Sequence, residues 1–443
     1  MTTALHSNRV LVDGEIRPAT VVIRDGRIDQ ILDDPPMGLP IEDLGDRVLM
    51  AGLVDTHVHI NEPGRTEWEG FETATRAAAA GGITTVVDMP LNCIPVTTTA
   101  EALAIKRRAA QPRLWVDCGF WGGVVPGNSG ELEQMVRDGI CGFKAFLCHS
   151  GIDDFPNATE ADLRLAMPIL ARAGVPLLVH AELDLGAPDD HREPQNYARY
   201  LASRPKSWED EAIRLMITLT RDTGCRVHIV HLSSGTALPL LAAARAEGLP
   251  ITVETCPHYL CLTAEEVPDR DTAFKCAPPI RESANRDQLW KGLSEGIIDF
   301  VISDHSPCTP HLKLPERGDF MDAWGGISSL QLGLSTVWTE AQRRGFSIAD
   351  VHQWMSEAPA RFLGLPAKGR LAVGADADLV AWDPDASWTI APQHIHHRHK
   401  VTPYLGREVR GRVHKTWLRG ELIWDGKHHG PRGRELAGRR QAV

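Results

Sequence analysis

Histidine and carboxylate side chains recur at the ends of short β-branched runs in this 443-residue chain. His57 and His59 close one run, and because side chains alternate faces along a strand, both point the same way. His180, His231 and Asp304 each stand at the end of another run. Imidazole nitrogen and carboxylate oxygen are ligands of divalent transition metals. The pattern therefore predicts a metal site assembled from several strand ends.

Lys144 is a further candidate because it lies inside the apolar run 142–147. A lysine in a buried strand is costly unless it is paired or chemically changed. His228 lies three residues before His231, so the two cannot share a strand face, and we predict a structural role for His228. His305 is predicted to point away from Asp304 and to support it at most. Glu254, also at a run end, is predicted to support the site or to form an ion pair.

Eight β-branched runs alternate with helical stretches such as 100–110 and 238–247 through the middle of the chain. Such alternation predicts parallel strands with crossover helices, and eight units fit a closed (β/α)₈ TIM-type barrel. Its active site would lie at the C-terminal ends of the strands, where the candidate residues stand. A doubly wound open sheet is the alternative, although no G-x-G-x-x-G follows the first run. The runs are residues 53–59, 83–89, 113–119, 142–147, 175–180, 226–231, 251–254 and 299–304.

The sequence pattern at both ends of the chain differs from that of the middle and predicts short strands connected by turns. Asp13-Gly14 and Asp25-Gly26 are hairpin signals, and β-type segments return around 374–382 and 415–420. We predict an α/β protein in which residues 1–49 and 366–443 form one small β-sheet domain and residues 50–365 form the barrel.

Composition narrows the classes of function. The net charge of −11 leaves no basic excess to neutralise phosphates, which argues against a nucleic-acid partner. No apolar stretch is long enough to span a membrane, and the N-terminus lacks the pattern of a signal peptide. Nine cysteines without a C-x-x-C pair predict free thiols and a cytoplasmic protein.

Several long motifs give the sequence a resemblance to a known family. The chain resembles the cyclic amidohydrolases, which comprise dihydroorotases, hydantoinases (dihydropyrimidinases) and allantoinases, and it is most similar to the allantoinases. The similarity covers nearly the whole chain. The motifs that carry it are at residues 52–65, 68–73, 88–92, 254–259, 275–281, 303–308, 323–327 and 397–404.

The resemblance implies a binuclear metal centre. His57, His59 and Asp304 would bind one divalent ion, His180 and His231 a second, and a carboxylated Lys144 would bridge them. Zn²⁺, Co²⁺, Mn²⁺ and Fe²⁺ all suit these ligands, with Zn²⁺ the first choice. A hydroxide shared by the ions would attack a ring carbonyl, and Asp304 would act as general base and then general acid. No G-x-S-x-G motif supports a serine hydrolase instead.

Two positions favour a neutral ring as substrate. Dihydroorotases carry an arginine where this chain has Asn61, and asparagine cannot replace that charge toward a carboxylate. Hydantoinases place a tyrosine where this chain has His149. Allantoin, hydrolysed to allantoate, fits both departures. A hydantoinase is the alternative enzyme, and a non-catalytic relative is disfavoured because all six metal-site residues are present.

Substrate contacts are predicted from the same motifs. Asn61 and Asn92 follow the first two strands and could bond the ring or its ureido arm, with loop capping as the competing role. Cys276, Ser306 and Gly326 complete the predicted set, while Ala277 departs from the serine expected there. The histidines between 394 and 399 are predicted to be a solvated surface segment. Relatives imply a homotetramer.

Overall fold

The computed structural model describes residues 2–186 and 192–438. The chain begins with an antiparallel meander in which the two predicted Asp-Gly turns connect the strands. Asp13 and Gly14 both have positive φ, 49° and 82°, as a tight two-residue hairpin requires. The N-terminal strands are β1 (Thr2–Val12), β2 (Glu15–Arg24), β3 (Arg27–Leu32), β4 (Ile41–Asp43) and β5 (Val48–Ala51).

The central strands form a parallel barrel, which confirms the predicted fold class. Each of the eight predicted runs overlaps an observed strand, and the third barrel strand consists of two short pieces on either side of Trp121. A parallel bridge between Val58 and His305 joins the last strand to the first and closes the barrel. The strands are β6 (Leu53–Val58), β7 (Ile83–Asp88), β8 (Asp117–Phe120), β9 (Gly122–Gly123), β10 (Phe143–Phe146), β11 (Leu177–His180), β12 (Val227–Ile229), β13 (Ile251–Thr255) and β14 (Phe300–Val301).

Helices cover the outside of the barrel, and local sequence fixes several of their ends. Thr99 caps the second helix by accepting a hydrogen bond from the Ala102 amide, and Thr159 with Asp162 forms a capping box. The helices are α1 (Phe71–Ala80), α2 (Ala100–Ala110), α3 (Leu132–Arg137), α4 (Glu160–Ala173), α5 (Tyr197–Ser203), α6 (Lys206–Thr223), α7 (Leu238–Ala246), α8 (Pro257–Cys261), α9 (Ser283–Ser294), α10 (Gly333–Arg343), α11 (Ile348–His352) and α12 (Ala358–Leu363).

The chain ends meet in one small sheet, as predicted. The C-terminal strands are β15 (Leu379–Thr389), β16 (Glu408–Leu418) and β17 (Glu421–Trp424). The sheet order is β17-β16-β15-β5-β1-β2-β3, with β4 beside β1. Antiparallel pairing of β15 with β5 therefore joins the two termini. The boundaries after residues 49 and 365 stay predictions.

Apolar side chains divide between two cores. The larger core fills the barrel and the space under its helices, while the smaller one lies within the sheet of the termini and includes Val10, Val21, Leu49 and Trp417. None of the helices in residues 2–186 and 192–438 combines the length and apolar character needed to cross a bilayer. The barrel core thus holds the strand ends that carry the candidate site.

Candidate metal centre

Three of the predicted ligands converge where the last barrel strand meets the first. His57 Nε2 lies 3.2 Å from Asp304 Oδ1, and His59 Nε2 lies 3.5 Å from the same oxygen. All three side chains are buried, and their ligand atoms lie within 4.8 Å of one another. Residues separated by more than two hundred positions are therefore close enough to bind one ion.

His180 and His231 form a second group beside the first. His180 Nδ1 and His231 Nε2 face each other at 3.0 Å, and the His57 and His231 ring centroids are 5.4 Å apart. Burial, followed by the charge of Lys144 or of neighbouring histidines, keeps the pKa of His57 and His231 well below the ordinary value. Neutral imidazoles are the form that binds metal.

Lys144 is fully buried, and its Nζ has no hydrogen-bond partner among the described residues. Burial lowers the pKa of Lys144 to about 7, although the charges of Asp304 and Glu254 act in the opposite direction. His231 Nδ1 is likewise without a partner there. Unsatisfied buried polar atoms are rare in native proteins, and a site for an ion is one physical reason for them. Lys144 Nζ and His231 Nδ1 therefore indicate a site that can bind an ion.

Buried carboxylates hold the histidines from behind. Glu254 lies 2.6 Å from His57 Nδ1, and Glu182 lies 2.7 Å from His180 Nε2. Each histidine thus has one nitrogen engaged by an outer group and the other facing the cluster, as metal-binding histidines do. Burial alone would raise the pKa of Glu182, but the charge of Arg204 and the bond with His180 hold it well below its usual range.

The same ligands show unusual backbone geometry. His231 and Asp304 have φ values of 40° and 44°, in the left-handed region that is uncommon for residues other than glycine. Such conformations persist only where the surroundings enforce them, and they concentrate at functional sites. Asn61 and Asn92, with φ of 66° and 69°, share this geometry.

The predicted substrate residues surround a cavity of about 610 Å³ in front of the ligands. Asn92, Cys276, Ser306 and Gly326 line it, and the Asn92 amide lies 3.4 Å from His59 Nδ1. Among the described residues, Asn61 is the predicted substrate residue that does not line this cavity. Its amide donates instead to the Pro307 carbonyl at 3.1 Å, while its Oδ1 has no partner in the described chain.

The supporting histidines lie outside the ligand cluster. His228 is buried against Glu254 and Thr252, and His305 bonds Glu69 at 3.2 Å behind Asp304. The prediction of a solvated histidine segment at residues 394–399 was wrong for His397. His397 is fully buried 5.3 Å from the His305 ring, and His394 is partly buried, because this segment packs over the outside of the barrel.

Several groups at the site were not predicted from the sequence. Glu182 follows His180 by two residues, and this H-x-E spacing at a strand end was the available signal. Arg204, which bonds Glu182 and lines the cavity, comes from the loop after α5 and gave no local signal. Tyr200, on α5, also forms part of the cavity wall.

The donor set fits metal ions. Four imidazoles, one carboxylate and one lysine amine without a hydrogen-bond partner in the described residues meet at one cavity, with outer carboxylates orienting two of the rings. The charged and polar atoms at the strand ends therefore indicate a binuclear metal site that acts on a small molecule.

Comparison with known proteins agrees with this geometry. The sequence matches the amidohydrolase family over residues 48–423. It is 51% identical to an allantoinase of Streptomyces avermitilis, covering 98% of both chains, and 44% identical to an allantoinase of Arabidopsis thaliana, covering 96% of this chain and 88% of that one. The L-hydantoinase (dihydropyrimidinase) structure from Arthrobacter aurescens superposes with a TM-score of 0.90 at 30% identity, covering 99% of this chain and all of that one. The chain therefore belongs to the amidohydrolase family and, within it, to the allantoinases.

Proposed function

We propose that this protein hydrolyses the cyclic amide bond of allantoin to give allantoate. The observation that carries the proposal is the convergence of all six predicted metal-site residues at one cavity in a chain that is 51% identical to an allantoinase. Allantoin is uncharged at its ring, and Asn61 supplies no cation for a substrate carboxylate.

Two divalent ions would be held by the two ligand groups. His57, His59 and Asp304 would hold one, His180 and His231 the other, and Lys144 would be carboxylated by CO₂ and contribute oxygen ligands to both. A buried lysine with a pKa of about 7 supports this modification, because only the neutral amine reacts with CO₂. Zn²⁺ is our first choice, and Co²⁺, Mn²⁺ and Fe²⁺ suit the same nitrogen and oxygen donors.

When bound, the ions would make water acidic enough to attack at neutral pH and would polarise the scissile carbonyl. Asp304 would move the proton. Its Oδ1 is contacted by His57, by His59 and by the Ser306 hydroxyl, which donates to it at 3.0 Å. Its Oδ2 has no hydrogen-bond partner among the described residues, so this oxygen would take the proton of the attacking water and deliver it to the leaving ring nitrogen.

The outer residues keep this arrangement in place. Glu254 and Glu182 fix the ring orientations of His57 and His180. Asn92, Ser306 and the backbone at Cys276 and Gly326 would bind the ring and the ureido arm, while Asn61 would act through the loop at Pro307. Ala277 lines the same wall without the hydroxyl of the expected serine.

The experiment is a substrate profile with matched metal analysis. We expect the purified protein to bind two metal ions per chain and to open allantoin with a kcat/KM at least about tenfold above those for hydantoin and dihydrouracil. Removal of the metal by a chelator should abolish turnover, and Zn²⁺ or Co²⁺ should restore it.

A second candidate, a hydantoinase, is favoured by the TM-score of 0.90 to the Arthrobacter enzyme. Faster turnover of hydantoin or dihydrouracil than of allantoin would support it and contradict our proposal. Full activity without metal would contradict both.

We also propose a homotetramer in a reducing, cytoplasmic environment. Nine unpaired cysteines support the environment, and the family resemblance supports the assembly. Sedimentation velocity of the metal-loaded protein tests the oligomeric state, and a monomer would refute it.

A further inference from the structure

Two buried lysines lie at the wall of the cavity: Lys275 lines it, and Lys313 stands between the lining residues Leu312 and Leu314. Lys275 is 8% exposed and directly precedes Cys276, and Lys313, 6% exposed, ends the short 3₁₀ turn Pro310–Lys313. Neither has a carboxylate within ion-pair distance among the described residues. Burying an ammonium group is costly unless its hydrogen bonds are satisfied, so these groups require partners of another kind.

Their partners are backbone carbonyls of two cavity segments. Lys313 Nζ donates to the carbonyls of Lys275 at 3.3 Å and Trp324 at 3.0 Å, and also to that of Gly326. Lys275 Nζ donates to the carbonyls of Met321 at 2.8 Å and Ala323. An ammonium has three donors, so Lys313 uses all of them on this backbone.

The lysines therefore tie together the segments 275–277 and 321–326. Both segments line the cavity, and the Gly326 amide donates to the Lys275 carbonyl at 2.8 Å, which joins them directly. The ring of Tyr200 covers the Lys275 ammonium at 5.2 Å from the ring centroid, and the Tyr200 hydroxyl donates to the Cys276 carbonyl at 2.7 Å. Six of the nine carbonyls in these two segments, at residues 275, 276, 321, 323, 324 and 326, thus accept hydrogen bonds from protein donors.

Amide groups of the same wall are left free. The N–H groups of Ala277 and Gly325 have no hydrogen-bond partner among the described residues, and a Cβ placed on Gly325 would lie 3.8 Å from the Ala277 nitrogen. Gly326 permits the close approach, since its φ is 154° and a Cβ there would meet the Ser306 carbonyl at 2.4 Å. The wall therefore presents donors, which suits a ligand with carbonyl acceptors.

We propose that Lys275 and Lys313 are positioning residues that hold the peptide N–H groups of segments 275–277 and 321–326 against the carbonyl oxygens of a neutral cyclic ureide. The inference rests on the proposed function, because it assigns the substrate-binding wall of the same site. Because the lysine and tyrosine donors fix the carbonyls of residues 275, 276, 321, 323, 324 and 326, the N–H groups of Ala277 and Gly325 are held at set positions in this wall.

The test is the substitution Lys313→Met, which preserves the apolar stem and removes all three donors. We expect KM for allantoin to rise about tenfold while kcat stays within about threefold and the metal content is unchanged, because an interaction common to ground and transition states is lost. Lys368→Met is the matched control, since Lys368 is equally buried, 7% exposed, but lies at the junction with the small sheet. It should lower the melting temperature without changing KM.

The outcomes separate this inference from the proposed function. Wild-type turnover of allantoin tests the function first, and if another cyclic ureide is the better substrate, the KM change is measured with that one. A KM within about twofold of wild type for Lys313→Met would overturn the inference, as would loss of metal. If that variant does not fold, Lys275→Met carries the same test. Failure of both to fold would place these lysines with Lys368 as stability groups and would also overturn it.

Discussion

Two buried lysines, Lys368 and Lys144, have opposite electrostatic surroundings. Lys368 lies at the junction between the barrel and the small sheet, with Asp117 at 2.8 Å, Asp376 at 3.4 Å and Asp378 in direct contact. Although burial disfavours its charge, Asp378 and Asp117 raise the pKa of Lys368 above the ordinary value. Lys144 at the strand ends has no bonded partner in the described residues, and burial lowers its pKa to about 7.

The difference between the surroundings of the two lysines distinguishes a region that stabilises the fold from a region that serves function. At the junction every charge is compensated, and Arg419 adds a bond to Asp117 at 2.7 Å. At the strand ends, by contrast, an amine and an imidazole nitrogen have no hydrogen-bond partner within residues 2–186 and 192–438, and two ligands have positive φ. Natural proteins depart from locally favourable arrangements mainly at functional sites. The unsatisfied region is therefore the one reserved for metal and substrate.

The largest expected effect is that of Lys144→Ala. Loss of the lysine should remove the second metal ion and lower kcat/KM for allantoin by about a thousandfold or more, because water activation depends on the intact centre. Metal analysis and steady-state kinetics measure both quantities. If Lys144 is carboxylated as we propose, added formate or acetate should restore part of the activity by taking the place of its carbamate. Near-normal turnover without an added carboxylate would show that Lys144, like Lys368, is not needed for catalysis, and would contradict the functional difference between the two lysines.

Glu254→Gln should have a smaller effect. The substitution removes the carboxylate behind His57 Nδ1 while keeping the side-chain size, and outer partners of this kind are worth about 10- to 100-fold in metal affinity or activity. Competition with a chromophoric chelator measures the affinity. Glu340→Gln, on α10 in an ion pair with Arg344, is the control and should leave metal affinity unchanged. Equal effects of the two substitutions would contradict the role of Glu254.

Lys368→Met should affect stability and not turnover. Removing the cation leaves Asp117 and Asp378 buried beside each other, which costs about 3–5 kcal/mol when one partner of a buried pair is lost. Chemical denaturation measures the loss, and kcat at a temperature well below the transition should stay within about twofold of wild type. A large drop in kcat with unchanged stability would show that the junction takes part in catalysis.

The smallest expected effect concerns His352, which lies outside both regions. Burial lowers its pKa to about 4 from 6.5, so the folded state resists protonation. Its contribution to stability is complete above pH 6.5 and declines as the pH falls from 6.5 toward 4, where the unfolded chain binds the extra proton. His352→Phe should therefore reduce the destabilisation between about pH 7.5 and about pH 5.5 by about 1 kcal/mol. Denaturant midpoints of both proteins at the two pH values test this, and an unchanged difference would contradict it.

Much of the fold could be predicted because it is encoded by local pattern. The β-branched runs alternate with amphipathic segments, so strands such as β6 and β11 and the whole of α2 follow from periodicity and end signals. The segment around His397 could not be predicted in this way. A cluster of polar residues predicts a solvent-exposed segment. The His397 ring is buried only because this segment packs over the barrel.

Within the site, the sequence by itself determined which side chains stand at strand ends, because parallel strands of one barrel must expose their C-terminal ends on one face. Tertiary structure alone decided the layer beyond Glu182: Arg204 bonds that carboxylate, and Lys313 lies beneath Lys275 and Gly326. These contacts join loops that are distant in sequence, and no local periodicity specifies which buried donor will face which carbonyl. The predicted metal ligands can therefore be identified from the sequence. Their orientation and the shape of the substrate-binding wall depend on how the loops pack.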